Sequence, residues 1–428
     1  MNSKELMTKA ADNIRILAAA MVEKAKSGHP GGSMSGADFV QVLYSEFLIH
    51  DPENPCWEAR DRFFLDPGHM SPMLYAQLCM TGHFTMDELQ QLRQWGSVTP
   101  GHPERNVERG IENTSGPLGQ GHTFAVGAAI AAKWFNARYG EIHNPTIYAF
   151  ISDGGIQEEI SQGAGRMAGH LKLDNLIMYY DSNEVQLSTN CNEVSSENVA
   201  MKYEAWGWYV QDIDGHNPEA IRQAILNAQA EKNRPSLIIG HTSMGKGCVT
   251  AEGDSWEGKT STHGQPLSKS GASFEATVKN LGGDPENPFQ IFPDVQALYD
   301  KRAEELREIT NQRYAAYHEW ATANPLAANE YETFMRGEAP CVDWSEITQK
   351  QNVATRTASA NTLAYLSEHV GNMIVSSADL CNSDKTDGFL KHTHVITPND
   401  FTGRFLQAGV SELTMACVCI GMALHGGI

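Results

Sequence analysis

The chain has 428 residues, long for a single core and in the range of two or three domains. Hydrophobic residues make up 41% and charged residues 20%, the composition of an ordinary globular protein. With 52 acidic against 32 basic residues the formal net charge is −20, which excludes nucleic acid or an anionic membrane as a general partner, because both need a basic face. A small anionic ligand held by local donors stays open.

Lys4 to Lys26 reads as a helix, with Leu6, Ala10, Ile14, Leu17 and Met21 at helical spacing, and "SGHPGG" breaks it. The N-terminus has neither the basic start nor the apolar core of a secretory signal, and no run approaches the roughly 20 apolar residues of a membrane helix. "TPGHPE" (99–104) and "NTSGPLGQGH" (113–122) are loops, and "TFAVGAAIAAKWFNARYG" after them is a helix. From there the pattern alternates. "TIYAFIS" (146–152), "NLIMYYDS" (175–182) and "SLIIGHTS" (236–243) read as strands, and "IQEEISQGAGRMAGHL" and residues 217–232 as helices. Such alternation predicts an α/β fold, a parallel sheet with helices on both faces. Residues 294–323 form a long charged helix, and 324–352, with Pro325 and Pro340, read as an interdomain linker. The pattern then restarts with a helix at 352–370, a strand at 373–379 and a helix at 409–425, a second and incomplete α/β domain. The expected domains are therefore 1–323 and 353–428.

"SDGGIQEE" (152–159) follows a strand and opens a helix, where an open α/β sheet places its ligands. Gly154 and Gly155 would let the backbone approach a phosphate, and the helix start favours negative charge. Asp153 could hold a divalent cation. The next strand ends in "DSNEV", so Asn183 would offer a second oxygen at the end of a neighbouring strand. With one backbone carbonyl and phosphate oxygens, this suits Mg²⁺. Either motif alone reads as a plain turn; the pair across two successive units makes a site.

Four histidines stand in glycine- or proline-rich loops: His29, His69, His102 and His263, with His122 a weaker fifth. Loop histidines can meet phosphate or sugar oxygens and move protons near neutral pH. Zinc is not expected, because none has a ligand partner at short spacing. The eight cysteines (56, 79, 191, 248, 341, 381, 417 and 419) form no CxxC pair, which predicts reduced thiols and a cytoplasmic location.

Eight segments, in order and from end to end, resemble the transketolases: "KSGHPGGSMSGADF", "LDPGHMSPMLY", "TPGHPE", "NTSGPLGQG", the stretch 152–185, "STHGQPL", "SSADLCNSDKT" and "GVSELTM". The resemblance implies the thiamin-diphosphate-binding fold and, as cofactors, thiamine diphosphate with Mg²⁺ or Ca²⁺. It implies that Asp153, Asn183 and the Val185 carbonyl hold the metal, and that His69, Gly154 and His263 contact the diphosphate. Gly116 and Leu118 would meet the aminopyrimidine, and Met244 would pack on the cofactor. His29, His102 and His263 would meet the ketose hydroxyls, and Arg356 and Ser383 the sugar phosphate, with Asp379 nearby. Glu158 matches an acid linking the two active sites of a dimer. Glu412 matches the glutamate that hydrogen-bonds a ring nitrogen of the aminopyrimidine; an apolar helix would bury it and raise its pKa.

The implied activity is transfer of a two-carbon ketol unit from a ketose phosphate to an aldose phosphate in the non-oxidative pentose phosphate pathway. The implied assembly is a homodimer with the active site between subunits. The family continues past the point where this chain stops, so the resemblance implies a truncated pyrimidine-binding domain. Alternative readings are a non-catalytic or split thiamine diphosphate-binding fragment, and a related enzyme such as 1-deoxyxylulose-5-phosphate synthase. Three departures from the family pattern stand out: Ser152 replaces a glycine, "SELTM" replaces "REHAM", with Ser411 and Leu413 where arginine and histidine are usual, and Gly163 stands where some members carry an acid.

Overall fold

A computed structural model describes residues 2–428. Five parallel strands form one sheet: β1 (Arg62–Leu65), β2 (Ile147–Ser152), β3 (Leu176–Ser182), β4 (Tyr209–Asp214) and β5 (Ser236–His241), in the order β1-β2-β3-β5-β4. The register pairs Ser152 with Asp181 and Asp181 with Gly240, so the carboxyl ends of β2, β3 and β5 lie level. That level edge carries the candidate site.

Side chains alternate between two cores, as the pleat requires. Tyr148, Phe150, Ile177, Tyr179 and Ile238 face one layer with Ile14, Leu17 and Met21 of the helix Lys4–Ala25. Ala149, Ile151, Met178 and Ile239 face the other, with Ala125, Ala128 and Ala129 of the helix Gln120–Tyr139. Both faces are covered, which is why β2 and β3 are buried at every position.

The predicted strands and most predicted helices stand within a few residues of their expected bounds. One expectation is corrected. The helix expected from Ile156 to Leu171 is broken at Glu158 (φ −61°, ψ 137°), giving Asp153–Gln157 and Glu159–Leu171. The segment 324–352, expected to be a linker, opens with the helix Pro325–Met335. Pro325 is its first residue, a position where proline costs nothing because the N–H is unsatisfied anyway. This helix docks Tyr331 and Phe334 beside Trp134, Phe135 and Tyr139, and Glu330 accepts from Nε and Nη2 of Arg138 at 3.0 and 2.9 Å.

After residue 353 come the helix Thr355–His369, two short parallel strands, β6 (Val375–Ser377) and β7 (Phe405–Gln407), and the helix Glu412–His425. This last helix does not stand apart. Val418 and Met422 are buried in the same core as Ala125 and Met178. It crosses the helix Gln120–Tyr139 at two glycines: a Cβ on Gly127 would lie 2.1 Å from the Val418 carbonyl oxygen, and one on Gly421 2.3 Å from that of Phe124.

Candidate active site

Asp153 and Asn183 stand at the ends of β2 and β3, side by side as their strands are. Asp153 is 3% exposed. Its Oδ1 accepts from the Tyr180 hydroxyl at 2.6 Å, and its Oδ2 from the backbone N–H groups of Asn183 and Glu184 at 3.1 Å each. Burial pushes its pKa up to about 6, with Asp181 adding to the rise. Asn183 is oriented from behind: its Nδ2 donates to Asp181 Oδ2 at 3.0 Å. Asp181 is itself held by the hydroxyls of Ser35 (2.7 Å) and Thr242 (2.6 Å). The chain then turns through Glu184 in the left-handed region (φ 62°) and brings Val185 back, its N–H on Asn183 Oδ1 at 3.1 Å.

Three histidines face this edge from loops far apart in sequence. The ring centroids of His29 and His69 are 5.1 Å apart, those of His69 and His263 5.3 Å, and those of His29 and His263 5.7 Å. Burial holds His69 well below the usual imidazole range and lowers His29 to about 4, with neighbouring His263 and Arg93 adding to it. His263 and His102 are lowered by burial as well. The cluster is neutral at pH 7, and His263 Nδ1 is buried with no partner in the protein.

One cavity of about 550 Å³ gathers the N-terminal candidates: His29, His69, His102, Gly116, Leu118, Asp153, Gly154, Glu158, Asn183, Val185, Met244 and His263 all line it. Close approaches hold its walls. A Cβ on Gly154 would meet Leu118 Cδ1 at 2.8 Å, and one on Gly31 would meet Met244 Sδ at 2.5 Å. Gly116 faces open space.

The other candidates lie elsewhere. Arg356 Nη1 donates to the Ser383 carbonyl oxygen at 3.1 Å, so the structure joins that pair, on an exposed face outside the cavity. Asp379 sits nearby in the left-handed region (φ 66°). Glu412 is exposed at the start of its helix, beside a separate surface hollow with Gln162, Gly163 and Arg166. Its expected burial is corrected: the apolar face of Glu412–His425 is spent on the core under Gln120–Tyr139. Two supporting residues were not anticipated from sequence. Asp181, two positions before a proposed ligand, carried a signal in "DSN"; Arg93, whose Nη2 approaches His29 Nδ1 at 3.5 Å, carried none.

The family description "Transketolase, thiamine diphosphate binding domain" matches residues 6–340, and "Transketolase, pyrimidine binding domain" matches 351–428. The chain belongs to the transketolase family. The transketolase of Geobacillus stearothermophilus is 38% identical over 432 residues, covering 98% of this chain and 63% of the relative. Transketolase 2 of Escherichia coli (strain K12) is 37% identical, covering 100% of the chain and 64% of the relative. Among solved structures, transketolase from Leishmania mexicana aligns with a TM-score of 0.93 at 33% identity, covering 100% of this chain and 63% of its own. A Pichia stipitis transketolase in complex with sedoheptulose-7-phosphate aligns at 0.91 and 31%, covering 99% and 63%. The chain thus spans about 63% of the length of the Geobacillus relative.

The transketolase family's cofactors are thiamine diphosphate and a divalent metal, and the residues present fit both. Among the described residues no three His, Cys, Asp or Glu side chains converge on a metal position. Asp153 and Asn183 offer instead one carboxylate and one amide side by side, a sparse oxygen set of the kind that a hard cation completes with phosphate oxygens. The unpartnered His263 Nδ1 supplies a buried polar atom for an anionic ligand. No helix among the described residues is long and apolar enough to cross a membrane.

Proposed function

We propose that this chain carries the cofactor-binding part of a transketolase, which moves a two-carbon ketol unit from a ketose phosphate to an aldose phosphate. The observation that carries this reading is the cavity in which Asp153 and Asn183 face His29, His69 and His263. Asp153, Asn183 and the Val185 carbonyl hold Mg²⁺ or Ca²⁺, and His69, Gly154 and His263 take the diphosphate. Gly116, Leu118 and Met244 flank the rings. Bound there, the cofactor supplies the electron sink that ketol transfer needs. His29, His102 and His263, kept neutral, can each donate or accept at the ketose hydroxyls. Arg356 and Ser383 grip the sugar phosphate.

The working unit of the proposal is a homodimer. Glu412 lies outside the cavity of its own chain, which supports its serving the cavity of a second copy, with Glu158 near the junction. Residues 1–323 form the diphosphate-binding domain and 353–428 belong to the pyrimidine-binding domain. Eight unpaired cysteines support a reducing, cytoplasmic setting. The exposure of Glu412 also favours a second reading, a non-catalytic chain that binds cofactor and metal only.

The test is Mg²⁺-dependent binding of thiamine diphosphate followed by formation of sedoheptulose 7-phosphate from xylulose 5-phosphate and ribose 5-phosphate. Binding and product formation that are both lost in Asp153→Ala are expected. Binding without product supports the second reading. Binding unchanged in Asp153→Ala, or release of a deoxyxylulose phosphate, sinks the first.

A further inference from the structure

We propose that Asp66 is a positioning residue that holds three loops of the cofactor site in register, an inference that rests on the thiamine diphosphate reading of the cavity. Asp66 directly follows β1, and its N–H donates to the Phe150 carbonyl at 3.0 Å, so its backbone extends the sheet. Its side chain is buried, with the residue 1% exposed, and does not line the cavity. One oxygen, Oδ1, accepts from the His122 N–H at 3.3 Å, and the Gly119 and Gly121 N–H groups also point at the carboxylate. These amides open the helix Gln120–Tyr139, directly after Gly116 and Leu118. The other oxygen, Oδ2, has no hydrogen-bond partner. It lies against Gly155, where an added Cβ would stand 2.3 Å from it. Gly155 directly follows Asp153 and Gly154. His69 lies three residues after Asp66 on the third loop. One carboxylate therefore touches the loops that carry the proposed aminopyrimidine, metal and diphosphate contacts.

A simple helix cap would account for Oδ1 but not for Oδ2 seated on Gly155. The two roles separate by ligand. Thiamine diphosphate would span all three loops, whereas inorganic diphosphate would reach only the 153–155 loop and the loop of His69, and not the 113–119 loop. Losing a cap weakens both ligands alike; losing the register weakens the spanning ligand more.

The experiment titrates the purified chain, in Mg²⁺, with thiamine diphosphate and with inorganic diphosphate. Asp66→Ala is expected to lose about tenfold more affinity for thiamine diphosphate than for inorganic diphosphate, the size expected for losing a buried acceptor. Asp66→Asn keeps an acceptor oxygen and is expected within about twofold of the parent chain for both ligands. An equal loss for the two ligands, no loss for either, or an Asp66→Asn as impaired as Asp66→Ala would overturn the proposal. If Asp66→Ala does not fold, Gly155→Ala, which displaces Oδ2, must show the same selective loss or the proposal falls. Failure of the parent chain to bind thiamine diphosphate would overturn the reading of the cavity, and this inference with it; binding by the parent with indifferent variants would overturn this inference alone.

Discussion

His143 Nε2 lies 3.1 Å from His425 Nε2 in a fully buried contact that ties the last helix to the body of the protein. The flanking partners assign every proton. His425 Nδ1 faces the Gly426 carbonyl at 2.9 Å and must donate, so its Nε2 accepts from His143 Nε2. His143 Nδ1 then accepts from the Tyr331 hydroxyl at 2.9 Å. Both rings are neutral, and burial beside Arg62 holds both well below the usual 6.5.

Acid should therefore release this contact. Each folded-state pKa is depressed below its unfolded value, so the folded chain binds fewer protons. The stabilisation is complete above about pH 6.5 and is lost as pH falls below it. Buried Asp61 and Asp66, raised by burial to about 6 and about 7, act in the opposite sense, so a variant is needed to isolate the pair. His425→Leu should melt lower than the parent at about pH 7.5 yet lose less between about pH 7.5 and about pH 5.5. Equal acid slopes in parent and variant, by thermal unfolding, would remove the histidine pair as the cause.

Asp181 should matter to metal binding although it is no proposed ligand. It fixes the Asn183 amide through Nδ2, so that Oδ1, which accepts from the Val185 N–H at 3.1 Å, is the amide atom left to offer a cation. Asp181→Ala should weaken Mg²⁺ binding by about 10- to 100-fold, the usual cost of losing an orienting partner. A Mg²⁺ titration in the presence of thiamine diphosphate measures it. An affinity equal to that of the parent would mean that the amide is held by backbone alone.

Gly163 and Thr414 form a notch where the helices Glu159–Leu171 and Glu412–His425 meet. A Cβ on Gly163 would stand 2.4 Å from Thr414 Oγ1, too close for the two to coexist unmoved. This explains why the acid of some relatives has no room here. Gly163→Ala should gain helix propensity of up to about 1 kcal/mol but lose about 1–3 kcal/mol to overpacking, a net destabilisation. Adding Thr414→Ala should restore much of the loss, a non-additive pair in denaturant unfolding. Strict additivity would show that the helices part freely at this point.

How much of this was legible in sequence follows from what each residue needed. β2 and β3 were plain because both faces of those strands are buried, which makes continuous apolar runs. Strand β1 was missed because Arg62, a charged residue, is buried in it at 1% exposure, with Nη2 on the His425 carbonyl at 2.9 Å. Strand β4 was missed because it is an edge strand with polar residues at Gln211, Asp212 and Asp214. The Asp153–Asn183 pair and the histidine loops could be read locally, since glycine and proline mark such turns. The place of Glu412 could not. Whether an acid at a helix start is buried depends on what another element packs against it, and no local pattern encodes that.

The last prediction concerns the boundary between domains. The segment after residue 353 reads as a separate unit, yet Val418 and Met422 complete a core whose other members include Ala125, Ala129 and Met178. Each such side chain contributes about 1.5–3 kcal/mol on full burial. Cutting the chain after residue 340 would bare the apolar face of Gln120–Tyr139, a contiguous surface of the kind that drives association. The shortened chain should therefore melt lower than the parent and aggregate in sedimentation, even though every residue of the sheet is present. Gly421→Ala offers the milder form of the same test. Its Cβ would lie 2.3 Å from the Phe124 carbonyl oxygen, so the last helix should lift and its amides exchange faster while β2 and β3 stay protected. A shortened chain that is monomeric and as stable as the parent would show that the two units hold their cores independently.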